Sequence, residues 1–150
     1  MNAYNNLLTS MNVYKISAVT LLIKDMHRSC NFYSRIPGFK LIYGGSHDEP
    51  FTTYEIGKNS NVYLNLEQYK LTNIQGYVKN DAKIILHTDD VDKLYSYFKN
   101  DQNISKLISF ENEPIDASWG ERYFHIRDPD GHLLSFAKTI KKSRIKNSET

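Results

Sequence analysis

Hydrophobic and polar positions along the chain follow one order of patterns in the first half. A β-branched, apolar run over residues 16–23 predicts a buried strand. Asp25 then stands where a helix N-cap is expected, ahead of apolar residues at helical spacing, and Pro37 and Gly38 end that helical pattern. Three strand-like stretches follow, at 39–43, 52–56 and 62–66. The first half therefore predicts a strand, a helix and three strands.

The second half repeats this order. Residues 84–86 predict a short strand, and Asp90 is a second candidate N-cap, 65 positions after Asp25. A helical stripe follows at Val91, Leu94, Tyr95 and Phe98. Further strands are expected near 104–110, 123–126 and 133–137. The repeat predicts an α+β fold of two tandem βαβββ modules, whose curved sheets surround a cavity.

The boundaries of this repeat divide the chain into a domain and two tails. Module one covers about 15–68 and module two about 82–139, within a domain at 15–139. The segments 1–14 and 140–150 lack periodicity and are expected to be tails. The C-terminal tail is basic, although the whole chain has a net charge of only +2. No basic face is predicted in the body, so we expect a solvated terminus and no nucleic-acid partner.

Composition and chain patterns restrict the expected cellular location of the protein. A chain of 150 residues can bury a core without disulfides, and its single cysteine, Cys30, cannot form an intramolecular bridge. The longest apolar run is far shorter than the roughly 20 residues that cross a bilayer. The first 15 residues are polar and do not have the pattern of a signal peptide. We therefore expect a soluble, cytoplasmic protein that has no membrane partner.

Two stretches carry a resemblance to a known family. Residues 18–25, with the pairs Arg28-Ser29, Phe32-Tyr33 and Gly38-Phe39, resemble the opening of the glyoxalase, bleomycin-resistance and dioxygenase group, the vicinal oxygen chelate (VOC) superfamily. Residues 119–131 resemble its closing hairpin, most closely the Trp-Gly variant of bleomycin-resistance proteins. With His87-Thr-Asp-Asp-Val91 between them, the likeness spans roughly 16–138.

The closing stretch contains an acidic residue that could be mistaken for a catalytic group. Asp128-Pro-Asp-Gly131 places proline and glycine where a tight hairpin turn needs them. We therefore expect Asp128 to accept hydrogen bonds from backbone N–H groups of that turn.

The resemblance also locates the positions at which enzymes of this family bind a divalent metal, with His, Glu or Gln from four strands. Carried over to this sequence, those positions fall on Ala18, Asn65, Lys83 and Ser135. Ala18 has no donor atom, and Lys83 would place an ammonium where the cation should lie. Asn65 and Ser135 are poor ligands for transition metals. The sequence therefore predicts neither a metal site of the family type nor another cofactor.

Side chains near these positions are the next candidates for chemistry. Strand alternation puts His87 on the same face as Lys83, and Glu67 on the same face as Asn65. A metal site moved to His87 would shift by roughly 13 Å along the strand, too far for the usual geometry. A lysine aimed into a cavity either reaches its mouth or pairs with an anion, here Glu67 or a bound carboxylate or phosphate. Trp119 fits a ligand groove and a hydrophobic core equally well.

These observations lead to one functional hypothesis and two alternatives. The first is a VOC-type protein without metal that binds a small neutral or anionic molecule through Lys83, Asn65, His87, Ser135, Trp119 and Glu67. The first alternative is a metal-dependent enzyme such as a lactoylglutathione lyase, an epimerase or an extradiol dioxygenase. The second is an interaction module with a filled cavity and a tail that recruits a partner. The resemblance and the open sheet edges also predict a homodimer.

Overall fold

The structure, a computed structural model, describes residues 11–70 and 82–140. Both predicted modules are present. Module one contains β1 (Ala18–Ile23), α1 (Met26–Tyr33), β2 (Phe39–Tyr43), β3 (Phe51–Ile56) and β4 (Tyr63–Gln68). Module two contains β5 (Lys83–His87), α2 (Val91–Asn100), α3 (Gln102–Ser105), β6 (Ser109–Phe110), β7 (Ile115–Asp116), β8 (Glu121–Arg127) and β9 (Leu133–Thr139). The predicted tails fall largely outside the described residues.

The strand expected near 104–110 differs most from the prediction. Its first part is the short helix α3, and β6 is restricted to Ser109–Phe110. The carboxylate of Asp101 accepts hydrogen bonds from the backbone N–H groups of Asn103 and Ile104, which starts a helical turn there. Ile104 is fully buried by that turn. A local capping interaction therefore outweighed the strand-like apolar pattern.

The strands form two sheets with matching topology. Sheet A has the order β1-β4-β3-β2, and sheet B has the order β5-β9-β8-β6, with β7 paired to β8. In each module the first strand is parallel to the last, with Ala18 opposite Tyr63 and Lys83 opposite Leu133. The remaining pairs are antiparallel. The duplication expected from the sequence is therefore a duplication of sheet topology.

Both long helices begin at the predicted caps. A side-chain oxygen of Asp25 accepts the N–H of Arg28 at 3.0 Å, and Asp90 accepts the N–H of Lys93 at the same distance. Each cap satisfies one backbone donor that the first turn leaves free. The apolar stripes are buried as expected at Met26, Cys30 and Tyr33 in α1, and at Val91, Leu94 and Phe98 in α2. Tyr95, the fourth residue of the second stripe, is half-buried against the same core.

One hydrophobic core joins the two modules. The rings of Phe32 in α1 and Phe98 in α2 have centroids 6.0 Å apart. Alternate residues of each sheet enter this core, including Leu64 in sheet A and Leu134 in sheet B. The intervening residues lie on the opposite side of each sheet. We call that side the open face of sheet A or of sheet B.

The turn at 128–132 has the predicted structural role. One carboxylate oxygen of Asp128 accepts the N–H groups of Asp130 at 2.9 Å and His132 at 2.8 Å. The other oxygen accepts the hydroxyl of Tyr33 from module one at 2.6 Å. Burial raises the pKa of Asp128, and the hydrogen bond from Tyr33 opposes part of that rise. Asp128 therefore organises the turn and also connects the modules.

The same turn makes further contacts with module one. Asp130 accepts the backbone N–H of Lys24 and the hydroxyl of Ser29, each at 2.9 Å. The Nε2 atom of His132 lies 2.8 Å from the carbonyl oxygen of Leu22 and donates to it. We call this contact between the turn and the end of β1 the first junction.

No helix within residues 11–70 and 82–140 combines the length and apolar character that a membrane crossing requires.

The buried hydrogen bond between Tyr33 and Asp128 gives a stability prediction. Tyr33→Phe removes the donor and leaves a buried carboxylate oxygen without it, so the free energy of unfolding should fall by about 1–3 kcal/mol. Tyr97→Phe is the matched control, because its hydroxyl donates to the carbonyl of Arg35 at an exposed site. We expect the control to lose at most about 1 kcal/mol. Urea unfolding of both variants measures the difference, and equal losses would contradict the proposed role of Asp128.

Candidate ligand-binding site

Sheet B presents a row of chemically useful side chains on its open face. Strand β5 contributes Lys83, Ile85 and His87, and β9 contributes Leu133, Ser135 and Ala137. Strand β8 contributes Glu121, Tyr123, His125 and Arg127. The register places Ser135 between Ile85 on one side and His125 on the other. Partner residues on neighbouring strands point to the same face, so these side chains lie side by side.

Three rings form a ladder across this face. The rings of Trp119 and Tyr123 are stacked, with centroids 5.9 Å apart and an interplanar angle of 18°. The rings of Tyr123 and His125 follow at 4.7 Å and 34°. Trp119 is 61% exposed, which rules out the core position that the sequence left open. An exposed tryptophan at the end of a ring ladder offers a flat apolar surface for a ligand.

A carboxylate fixes one end of the ladder. The indole N–H of Trp119 donates to one oxygen of Glu121 at 2.9 Å. The other oxygen of Glu121 lies 3.3 Å from Nε2 of His87. The predicted site residues Trp119 and His87 are therefore held by a third residue that the sequence analysis did not select.

A positive charge, that of Lys83, acts on His125 at the other end of the ladder. Partial burial lowers the pKa of His125, and the charge of Lys83 lowers it further. A lowered pKa favours the neutral imidazole, which can donate one hydrogen bond and accept another. Lys83 itself is exposed, whereas Ser135 beside His125 is only 3% exposed.

Two predicted residues lie on the open face of sheet A. The Oδ1 atom of Asn65 accepts the hydroxyl of Thr53 at 3.0 Å, and its Nδ2 atom donates to Thr20 at 3.3 Å. Glu67 is exposed and stands opposite Leu22 in the register. The structure therefore groups Lys83, His87, Ser135 and Trp119 on sheet B, and it places Asn65 and Glu67 on sheet A.

The four positions that the resemblance predicts for metal ligands hold residues that are poor ligands for a transition metal. Ala18 has no donor atom, and both polar atoms of the Asn65 amide are already hydrogen-bonded to threonines. Lys83 would oppose a cation, and Ser135 is a neutral hydroxyl. In the part of the chain that the structure describes, no group of three or more His, Cys, Asp or Glu side chains could hold a metal ion.

The residues that the sequence analysis did not select are Glu121, Tyr123 and His125. The sequence contains a signal for these residues, because the tight turn at 128–131 fixes the register between β8 and β9. With Arg127 opposite Leu133, every second residue of β8 must share the face of Ser135.

The pKa of His125 gives a direct test of this geometry. In the folded protein we expect it to lie below the ordinary value of about 6.5. Lys83→Met removes a nearby positive charge, so the pKa should rise toward 6.5 but stay below it, because burial persists. A pH titration of the imidazole by NMR measures both values. Lys93→Met, at an exposed helix position, is the control and should leave the pKa unchanged. The proposed proximity is wrong if Lys83→Met has no more effect than this control.

Comparisons with known proteins agree with this architecture. A protein of Bacillus subtilis (strain 168) named "Uncharacterized protein YraH" is 25% identical over 133 residues, covering 84% of this chain and 99% of that protein. A glyoxalase/bleomycin resistance protein/dioxygenase family enzyme from Burkholderia phytofirmans PsJN has a similar fold, with a TM-score of 0.64 at 17% identity, covering 83% and 98% of the two chains. TioX from Micromonospora sp. ML1 gives a TM-score of 0.61 at 18% identity, covering 85% and 100%. The sequence pattern of one family matches residues 15–136. This chain therefore belongs to the Glyoxalase/Bleomycin resistance protein/Dioxygenase superfamily.

Proposed function

We propose that this protein binds a small, planar, neutral or anionic molecule on the open face of sheet B, without using a metal ion. The observation that carries the proposal is the ladder formed by Trp119, Tyr123 and His125. A planar ligand would pack against the exposed parts of these rings, between Trp119 at one end of the ladder and Lys83 near the other. Aromatic pairs contribute about 0.5–1.5 kcal/mol beyond their buried area, which favours an aromatic ligand over an aliphatic one.

The charges around the ladder favour an anionic group on that ligand. Arg127 is already paired with Glu111 at 3.0 Å, and Glu121 is shared between Trp119 and His87. The exposed ammonium of Lys83 remains as the cation that a carboxylate or phosphate would meet. The neutral imidazole of His125 would supply a hydrogen bond beside it.

The alternative is a metal-dependent enzyme of the same superfamily. Such an enzyme would need imidazole or carboxylate donors at the positions of Ala18, Asn65, Lys83 and Ser135. The side chains at those positions support the metal-free proposal instead.

Fluorescence provides the test, because Trp119 is the only tryptophan in the sequence. Titration with 2-naphthoate should change the Trp119 emission in a saturable way, while 2-naphthamide, the matched neutral probe, should bind more weakly. Lys83→Met should weaken naphthoate binding about tenfold, which corresponds to 1.4 kcal/mol, and should bring its affinity close to that of the amide. Lys93→Met should bind like the unmodified protein. Equal affinities for both probes would contradict the role of Lys83.

The same titration separates the proposal from its alternative. Dialysis against a chelator should leave naphthoate binding unchanged, and metal analysis of the purified protein should find less than stoichiometric metal. Stoichiometric Ni, Zn, Mn or Fe would reject the proposal and support the enzyme.

We also propose that the protein forms a homodimer through its exposed apolar strands. Leu22 on β1 and Ile85 on β5 are 47% and 55% exposed, and these strands lie at the ends of their sheets. Covering them with a second copy would remove apolar surface from water and protect the strand edges.

Sedimentation should therefore give a mass of twice 17.5 kDa. Leu22→Lys combined with Ile85→Lys should shift the protein to the monomer, because a lysine ammonium is costly to bury. Ser96→Lys on the exposed side of α2 is the control and should leave the dimer intact. A monomeric unmodified protein at micromolar concentration would contradict the proposal.

A further inference from the structure

The two modules meet at a second junction that is related to the first by the repeat. There the turn at 57–61 lies near the end of β5. The backbone N–H of Ile56 donates to the carbonyl of Val62 at 2.9 Å, just as Asp128 donates to His132 at 3.0 Å. Ile56 is therefore the counterpart of Asp128, and Val62 is the counterpart of His132. The two junctions have the same backbone hydrogen bond, so each side chain at the first has an equivalent position at the second.

The polar groups that close the first junction have apolar counterparts at the second. The shift of 65 residues that matches the helices places Phe98 at the position of Tyr33, and Leu94 at the position of Ser29. With Ile56 and Val62 in the turn, four hydrogen-bonding side chains are replaced by four hydrocarbon side chains. None of these replacements can form the hydrogen bonds of the first junction.

A cavity of about 330 Å³ lies at this second junction. Its wall combines apolar side chains from both modules, including Ile36, Phe39, Ile56, Leu86, Leu94 and Phe136. His87, Thr88 and Asp89 contribute the polar part of the lining. Its volume is at the lower end of the ~300–1,000 Å³ typical of small-molecule pockets.

We infer that this cavity is a second binding site, which takes a small, uncharged, largely apolar molecule of about the size of one or two fused rings. The inference rests on different observations from the site on the open face of sheet B, although His87 borders both sites. Leu94 and Phe136 are nearly fully buried, so a ligand in contact with them leaves water. A ring packed on the apolar side chains would also lie beside the polar groups of His87, Thr88 and Asp89. A ligand at this junction would touch both modules and would stabilise their packing by mass action.

NMR titration of the full-length, ¹⁵N-labelled protein with indole tests the inference. We expect saturable shifts of the backbone amides of Ile56, Gly57, Leu86 and Thr88, which surround the cavity. Leu94→Phe fills the cavity with a larger apolar side chain and should weaken this binding at least about tenfold. Leu94→Met conserves the volume of the side chain and should retain the binding.

Trp119→Ala separates this site from the open face of sheet B. Shifts around the cavity should persist in this variant, because Trp119 does not line the cavity. If Leu94→Phe does not fold, as judged from its spectrum, Ile56→Phe fills the same space from the other module and takes its place. Absence of saturable shifts around the cavity, shifts confined to the amides of Tyr123 and His125, or unchanged binding in the folded cavity-filling variant would each overturn the inference.

Discussion

The two modules bury one face of each sheet in a single shared core. The helices α1 and α2 meet through Phe32 and Phe98, and alternate strand residues of both modules pack around them. Because side chains alternate along a strand, every second residue is directed away from this core. The open faces, and the functional groups on them, are therefore a geometric consequence of how the apolar residues pack.

The duplicated fold is symmetric in its backbone and asymmetric in its chemistry. At the first junction, the buried carboxylate of Asp128 and the hydroxyl of Tyr33 connect the modules, and burial makes this hydrogen bond costly to lose. At the second junction, Ile56 and Phe98 stand in the equivalent places. Hydrogen bonds thus join the modules at the first junction, whereas the second junction contains a cavity that is lined in part by apolar side chains. Repetition supplied two similar frameworks, and side-chain identity gave them different properties.

Family membership fixes the framework of this protein but leaves its chemistry to individual residues. A fold shared by lyases, dioxygenases and binding proteins specifies where side chains meet, and the side chains themselves decide what happens there. The positions that the resemblance predicts for the metal ligands hold a methyl group, an amide, an ammonium and a hydroxyl. The ladder of Trp119, Tyr123 and His125 and the cation at Lys83 lie on the same open face, and our proposal of a planar, anionic ligand rests on them.

Elements whose causes are local can be predicted from the sequence alone. The caps at Asp25 and Asp90, the helical stripes and the turn at Asp128 all depend on residues within a few positions of one another, and all were predicted. Only the folded structure shows the register of β8 against β9, the exposure of Trp119 and its link through Glu121 to His87. These features depend on residues that are distant in sequence. A shift of one residue in strand pairing would move every side chain of the strand to the opposite face of the sheet. The helix α3, capped by Asp101, differs from the predicted strand for another reason. The short apolar pattern that follows Asp101 is compatible with a strand or a helix, and the cap favours the helix.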